Sequence, residues 1–299
     1  MTERALPLRS SWIARLGEGS AFPVLAVLAG LAALWYLVCL PMNAALPQME
    51  GVEGLGARYA VAWGLERPVL PAPHQVIGEL YRSVFEVRLS SPRNLAFHAW
   101  VTLSSTLLGF VFGVLFGILL AVGIVHSKTL NLSLMPWIIA SQTVPILAIA
   151  PIVIVALGSI GLVGLVPKAI ISAYLCFFPV TIGLVKGFTS PEAMHLDLMK
   201  TYNAGRGAVF FKLRWPAAIP FLFASLKVAV SIALVGAIVA ELPTGAQAGL
   251  GARLLSGSYY GQTVQIWAAL FAAALLAAVL VGLIGAAERI TQKAMGGRA

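Results

Sequence analysis

Six long runs of apolar residues, almost free of charge, are the feature that most constrains what this chain can fold into. Each is about as long as the ~20 helical residues that cross the hydrocarbon core of a bilayer. Because a segment in lipid must satisfy its backbone hydrogen bonds internally, these runs predict α-helices. The expected fold class is an all-α membrane protein with six transmembrane helices, at about 22–40, 97–125, 134–157, 167–188, 217–242 and 263–287.

The composition excludes a soluble globular protein. Of the 299 residues, 60% are hydrophobic and 10% are charged, whereas about 25% of a typical soluble domain is charged. The net charge of +9 does not indicate nucleic-acid binding, because the 20 Lys and Arg residues are scattered along the chain. Both cysteines, Cys39 and Cys176, fall inside apolar runs, which is typical of core thiols and not of a disulfide framework.

The first apolar run and the flanking charges predict the topology. The run is longer than the ~7–15 apolar residues of a signal peptide, so we expect a retained span and not a cleaved signal. Cations beyond the sixth run place the C-terminus inside. The predicted domains are a cytoplasmic N-terminus (1–21), a six-helix membrane domain (22–289) with an outer loop (41–96) and a cytoplasmic loop (189–216), and a cytoplasmic tail (290–299).

The most polar long segment in the second half of the chain is Ser190–Pro220, which lies between the fourth and fifth runs. Its first three residues, Ser-Pro-Glu, are typical of a helix start, with Ser190 as the capping residue. Asn203–Gly207 predicts a bend, because Asn and Gly tolerate positive φ. A second short helix, Ala208–Trp215, is expected to end at the prolines that follow it.

Within this segment, Asp197-Leu198-Met199 is followed by Asn203-Ala204, then by Phe210 and Pro216. This pattern resembles the cytoplasmic EAA loop in the permease subunits of ATP-binding-cassette (ABC) importers. In that family Glu is usual at the position of Asp197, Gly at that of Asn203 and Leu at that of Trp215. Asn is the residue after Gly that best tolerates a left-handed bend, so the bend itself is expected to persist.

Three further stretches resemble the nitrate, sulfonate and taurine branch of these permeases: Leu70-Pro71-x-Pro73-x-x-Val76, the Gly-rich span after His98, and Ala240-Glu241 followed by Gly249-Leu250-Gly251. The resemblance implies a translocation pathway for a small polar solute, such as a sulfonate, taurine, nitrate or a pyrimidine-type vitamin precursor. It implies a cytoplasmic ATPase that binds the ATP, a periplasmic or lipid-anchored substrate-binding protein, and a second permease copy. The residues that it assigns to ATPase coupling are Asp197, Leu198, Met199, Asn203, Ala204, Gly205, Phe210 and Pro216.

Polar residues inside the apolar runs are the candidates for the pathway. Gln142 and Thr143 lie between prolines of the third run, where a broken helix is tolerated if its backbone is buried or lines a cavity. Lys227 and Glu241 belong to the fifth run, where about 21 Å of helix keeps them from pairing with each other. Alternatively, Lys227 extends its amine to the interface, and Glu241 caps a helix or lies at the interface.

Two patterns predict how helices pack. Gly109, Gly113 and Gly117 recur at four-residue spacing in the second run, which favours a face for close helix approach. The alternative is that these glycines are placed by chance in a Gly-rich chain. Apolar residues at helical spacing between Pro73 and Val87 predict an amphipathic helix at the membrane face.

No pattern indicates an enzyme. The chain contains no GxxxxGK[ST] phosphate loop, so we expect no ATP hydrolysis and no cofactor in this subunit. The four histidines are isolated from one another and from Cys, so no metal site is expected. The alternative function is a self-sufficient ion-coupled carrier; such carriers often show internal repeats and carboxylates at mid-depth, and neither is evident here.

Overall fold

The computed structural model describes residues 21–89, 91–242 and 248–296, and this part of the chain is helical without strands. Except for Ala21, the predicted N-terminal domain lies outside the described residues, as do the last three residues of the predicted tail. The helices are α1 (Ala21–Asn43), α2 (Leu55–Gly64), α3 (Pro73–Tyr81), α4 (Leu95–His126), α5 (Lys128–Ser141), α6 (Ile146–Ser159), α7 (Leu165–Phe188), α8 (Ala193–Thr201), α9 (Arg206–Val209), α10 (Trp215–Glu241), α11 (Leu250–Tyr259) and α12 (Thr263–Ala294).

Five helices are long and apolar enough to cross a membrane, and a sixth candidate is the bent pair α5–α6. The predicted third span, 134–157, is therefore two helices whose axes differ by 97°. The break falls at 142–145. Pro145 has no N–H to donate to the preceding helix, and α6 begins at the residue after it. Pro136 and Pro151 lie inside α5 and α6.

α4 and α7 pack closely and run in the same direction. Gly109 lies against Ser172, whereas Gly117, two turns later, lies against Val180. A Cβ on Gly113 would approach the Ala173 carbonyl oxygen to 2.8 Å. The predicted glycine face is thus confirmed as the contact between these two helices. Because the helices are parallel, the chain between them must return along the bundle.

The bent pair α5–α6 makes this return. Each helix has 14 residues and so a length of ~21 Å, which at an angle of 97° spans roughly 28 Å from end to end. This is close to the ~30 Å of a hydrocarbon core. The Tyr174 hydroxyl of α7 donates to the Ser141 carbonyl at the break, which fastens the corner to the bundle.

α10 packs on the other side of α7 and runs antiparallel to it. Gly187 lies against Ala218 near the start of α10, and Gly236 lies against Ser172 near its end. The core between the three helices is apolar, and these side chains in it are almost wholly buried: Val180, Leu184, Phe188, Ala229 and Ala233. α7 is therefore the central helix of the bundle.

The bundle has two ends, which we name after a residue at each. At the Glu241 end lie the starts of α4, α7 and α12, together with Asn43 at the end of α1. The buried Asn43 amide donates to the Leu70 carbonyl and accepts from two backbone N–H groups, which fastens α1 to the segment before α3. At the Phe210 end lie the ends of α4 and α7, the first residues of α1 and the last of α12.

The predicted amphipathic helix is present as α3, followed by a π-helical turn over Arg82–Glu86. Its apolar side packs on protein, because Leu80 and Val84 contact a buried cluster that contains Leu95 and Leu250. Ile77 is exposed. This helix therefore covers the Glu241 end of α12 and α4.

The close approach of α4 and α7 generates a stability prediction. Gly113→Leu places a side chain where the α7 backbone now lies, and such overpacking is expected to lower the free energy of unfolding by about 1–3 kcal/mol. Thermal unfolding of the purified protein measures the loss. Gly282→Leu in α12, where no neighbouring atom lies within 4 Å, is the matched control and should leave stability unchanged. Equal stability of the two variants would contradict the packing role.

Candidate functional site

α8 is an exposed helix with no buried residue. Leu198 and Met194 expose 52% and 70% of their surfaces, and Asp197 forms a solvent-exposed ion pair with Lys200 at 2.7 Å. The expectation that Ser190 caps this helix is wrong, because its hydroxyl donates to the Gly187 carbonyl and α8 begins after Glu192. An exposed helix carrying apolar and charged side chains is suited to contact another protein.

The bend after α8 has a fixed shape. Asn203 has φ 51°, the one non-Gly residue with positive φ in the described part of the chain, as the sequence predicts. The Asn203 N–H donates to the Lys200 carbonyl at 2.8 Å, and the Ala204 N–H donates to the Met199 carbonyl at 3.0 Å. These two bonds and the left-handed residue form a Schellman motif, which satisfies the carbonyl groups at the end of α8.

After the bend, the chain continues without interruption from Arg206 to Glu241 as a helix of 36 residues. The expectation that Pro216 and Pro220 end the second short helix is therefore wrong. Phe210–Arg214 form a π-helical turn in which the Trp215 N–H donates to the Phe210 carbonyl. Pro216 directly follows this π-helical turn, where the regular i→i−4 pattern is already interrupted, so the helix continues past its missing N–H.

Aromatic rings fasten the segment 203–215, which we call the joint, to the bundle. The buried Phe210 ring lies 4.9 Å from the ring of His126 in α4 and 5.1 Å from that of Phe188 in α7, measured between centroids. Trp215 stacks on Phe188 at 5.8 Å. These rings hold the start of the long helix against α4 and α7, while Ala204 and Gly205 connect the bend to it.

At the opposite end of the same long helix, Glu241 lies fully buried in a polar cluster. Its carboxylate accepts hydrogen bonds from the Thr102 hydroxyl at 2.9 Å and from the Gly251 N–H at 2.9 Å. The Lys168 ammonium lies 3.4 Å from the carboxylate and donates to the Ala248 carbonyl at 3.0 Å. The cluster thus joins α4, α7 and α10 to the start of α11.

The start of α11 is held by side chains from other helices. Its successive N–H groups, from Gly249, Leu250 and Gly251, donate to His98 Nδ1, Thr102 Oγ1 and Glu241 Oε2. Since His98 Nδ1 accepts, its Nε2 carries the proton and donates to the Pro92 carbonyl at 2.8 Å. A Cβ on Gly249 would overlap the Glu241 carboxyl group, so glycine is required there. This contact explains why Ala240-Glu241 and Gly249-Leu250-Gly251 occur together.

Sequence reasoning missed Lys168, Thr102 and His98. The signal for Lys168 was its place as the second residue of the fourth apolar run. Thr102 and His98 carry no local pattern, because their partners lie 139 and 151 residues away in the sequence. Only the fold brings them together.

The structure does not gather the four candidate pathway residues into one site. Lys227 pairs with Glu288 of α12 at 2.5 Å, so Lys227 and Glu241 do not pair with each other, as the sequence predicts. Gln142 and Thr143 are exposed at the α5–α6 corner, where Thr143 donates to the Ala140 carbonyl. The described part of the chain holds no cluster of His, Cys, Asp and Glu that would bind a metal.

A polar cavity of about 500 Å³ opens at the Glu241 end between α2, α3 and the start of α12. Charged and amide side chains line it, among them Glu66, Arg67, Glu79 and Gln265. Arg253 of α11 donates to Gln265 Oε1 at 2.7 Å. Burial lowers the pKa of the Arg253 guanidinium and the nearby Glu79 opposes that shift, so the arginine stays charged.

The model of the family of binding-protein-dependent transport system inner membrane components matches residues 113–296, which include α8, the long helix and the Glu241 cluster apart from its α4 members. This chain belongs to that family. The predicted family is thus confirmed, and the protein is an ABC importer permease of the inner membrane that passes through it several times.

Three relatives illustrate the range of this permease family. A probable ABC transporter permease protein of Haemophilus influenzae is 34% identical over 58% of this chain and 69% of its own. The formylaminopyrimidine transport permease protein of Halalkalibacterium halodurans is 29% identical over 61% of this chain and 68% of its own. The riboflavin transport system permease protein of Chloroflexus aurantiacus is 29% identical over 74% of this chain and 79% of its own.

The Glu241 cluster of this permease generates a stability prediction. Lys168→Met leaves a buried carboxylate without its cation and is expected to cost about 3–5 kcal/mol of unfolding free energy. Glu241→Gln keeps an oxygen acceptor for the Gly251 N–H, so the double variant Lys168→Met/Glu241→Gln should lose less than the sum of the single losses, by about 1 kcal/mol or more.

Thermal unfolding of the four proteins in one detergent measures this coupling. The control is the same cycle at Lys227 and Glu288, whose side chains are 36% and 18% exposed and whose coupling is expected to be smaller. Additive losses at Lys168 and Glu241 would show that the two charges do not stabilise each other.

Proposed function

We propose that this chain is the subunit that forms the translocation pathway of an ABC importer, and that α8 is its contact with a separate ATPase. The observation that carries the proposal is one continuous helix that joins two fixed ends. At one end the Schellman bend holds the exposed α8, and at the other Glu241 is bonded to three further helices. A helix of 36 residues is ~54 Å long, enough to connect a cytoplasmic contact with the far side of the membrane.

The Phe210 end is the cytoplasmic end in this proposal. The first residues of α1, the last of α12 and all of α8 lie there, so six crossings with both termini inside account for the arrangement. The described cations at this end outnumber the acids, as the positive-inside rule expects. The cations are Lys128, Lys186, Lys200, Arg206, Lys212, Arg214, Arg289 and Lys293, and the acids are Glu192, Asp197 and Glu288.

Asp197, Leu198 and Met199 supply the contact with the ATPase, and Asn203, Ala204 and Gly205 supply the shape of the joint. Phe210 and Pro216 connect that joint to the membrane bundle. ATP is bound by the partner, and this chain transmits the resulting movement. Coupling of this kind requires that the α8 contact differ in free energy between the two states of the ATPase.

The solute pathway lies between two copies of this chain. The exposed apolar faces of α5 and α6 contact the second copy. Gln142 and Thr143 at the α5–α6 corner supply polar groups to it. Lys227 and Glu241 meet the solute only if their ion pairs with Glu288 and Lys168 open. The polar cavity at the Glu241 end faces the periplasm and contacts the substrate-binding protein.

The solute is small and polar. Relatives named for formylaminopyrimidine, riboflavin, aliphatic sulfonate and nitrate transport support either a vitamin or its precursor, or a small anion. The substrate-binding protein selects among them, and ligand-induced thermal stabilisation of that protein identifies the solute.

The proposed topology is tested by cysteine labelling in a background without Cys39 and Cys176. Ser190→Cys, before the long helix, and Ser258→Cys, after it, are at exposed positions and should react from opposite sides of the membrane. A membrane-impermeant maleimide applied to intact cells should label only Ser258→Cys. Labelling of both residues from outside would overturn six crossings with a cytoplasmic α8.

The proposed coupling is tested by four substitutions in the α8 segment. Asn203→Gly keeps the left-handed bend and should transport normally, whereas Asn203→Val strains it by about 1–3 kcal/mol and should reduce transport. Asp197→Lys reverses the charge of the contact helix and should weaken ATPase binding about tenfold or more. Glu192→Lys reverses an exposed charge just outside α8 and is the control.

Transport in cells and co-purification of the ATPase measure the two effects separately. Membrane insertion and thermal stability should stay unchanged for Asp197→Lys, because its side chain is exposed outside the bundle. Normal transport and ATPase retention by both Asn203→Val and Asp197→Lys would make the segment an ordinary connector. Counterflow by the purified chain alone in liposomes would favour an ion-coupled carrier instead.

A further inference from the structure

A second cavity, of about 310 Å³, lies at the Phe210 end between the last residues of α4 and the joint that follows α8. We call it the basic cavity. Three basic side chains line it, His126, Arg206 and Arg214, together with three apolar ones, Val125, Val209 and Phe210. No carboxylate is among its lining residues. The cavity therefore combines basic and apolar side chains.

The two guanidinium groups form no ion pair within the described residues. Asp197 of α8 pairs with Lys200. His126 donates from Nδ1 to the Val122 carbonyl at 2.8 Å, which leaves Nε2 on the other edge of its ring. Arginine forks bind phosphate oxygens with two parallel hydrogen bonds, so two unpaired guanidiniums around one cavity suit a phosphate group.

The position of the cavity decides which phosphate compound it suits. His126 is the last residue of α4, whose apolar length ends there, so the cavity lies at the boundary between the hydrocarbon core and the headgroups. The apolar side chains of Val125, Val209 and Phe210 suit a ligand that is itself partly apolar. A phospholipid joins a charged phosphate to apolar acyl chains at its glycerol, whereas inorganic phosphate and ATP carry no acyl chain.

We propose that the basic cavity binds the headgroup phosphate of an anionic phospholipid of the inner leaflet, with Arg206 and Arg214 as its ligands. The site goes beyond the proposed function, and its assignment to the inner leaflet rests on the topology proposed above. Arg206 opens the long helix, and Phe210 is the ring that fastens it to α4 and α7. A lipid in this cavity braces the joint that carries movement from α8 into the membrane.

The test uses the purified full-length chain without any ATPase, so that it does not depend on the coupling proposal. The protein is reconstituted in nanodiscs of phosphatidylcholine with or without phosphatidylglycerol, and retained lipid is counted by native mass spectrometry after release. The wild-type chain should retain phosphatidylglycerol in preference to phosphatidylcholine. Arg206→Gln and Arg214→Gln should each lower that retention about fivefold, and the double variant about 25-fold.

Three controls make the test specific. Lys212→Gln removes an exposed cation from the same π-helical turn, outside the cavity, and should retain lipid as the wild type does. Arg206→Lys/Arg214→Lys keeps the charge but removes the planar forks, so it should retain more lipid than the double Gln variant and less than the wild type. Val125→Phe fills the apolar side without changing the charge and should lower retention.

Two results would overturn the proposal. Equal phosphatidylglycerol retention by the double Gln variant and by Lys212→Gln would show that the cavity does not bind the lipid. Displacement of the lipid by inorganic phosphate or ATP at low millimolar concentration would assign the arginines to a soluble anion. Failure of the α8 variants, by contrast, would leave the lipid result standing.

Discussion

The parallel contact between α4 and α7 is the constraint on which the rest of the structure depends. In lipid, helices gain little from burying apolar surface against each other, so association depends on close van der Waals packing. Gly109, Gly113 and Gly117 allow it by removing the side chains that would separate the two backbones. Because the two helices are parallel, the bent pair α5–α6 must carry the chain back over the length of the bundle.

The same contact places charged and polar groups at opposite ends of the bundle. At the Glu241 end, the starts of α4 and α7 bring Thr102 and Lys168 to the carboxylate of Glu241. A charge buried in this way is tolerated because a cation and two hydrogen-bond donors surround it. At the Phe210 end, the ends of the same two helices supply the rings of His126 and Phe188 that hold the joint after α8.

One helix connects these ends, which supports the proposal that α8 contacts the ATPase while the membrane bundle forms the solute pathway. The Glu241 end is fixed by a charge pair whose separation would leave a buried charge unpaired, so it resists displacement. The Phe210 end is held by packed aromatic rings, and separating them would leave no buried charge unpaired. A force applied to α8 is therefore expected to move the Phe210 end more than the Glu241 end. We therefore expect the long helix to tilt about Glu241, with the proposed lipid site at the end that moves.

The sequence by itself determined the features that depend on near neighbours. The apolar runs predict the helices, since a bilayer allows few other structures. The four-residue spacing of the glycines predicts the contact face, and Asn203 predicts the left-handed bend, because its side chain tolerates positive φ. The pattern in the α8 segment also predicts the family that the comparison shows.

Only the tertiary structure decided how distant residues pair. Lys168 and Glu241 are 73 residues apart, and His98 and Gly249 are 151 apart, so no local pattern could join them. The prediction that the helix ends at Pro216 was wrong for a related reason. A π-helical turn and rings from α4 and α7 stabilise the helix there, and these contacts outweigh the local tendency of proline to interrupt it.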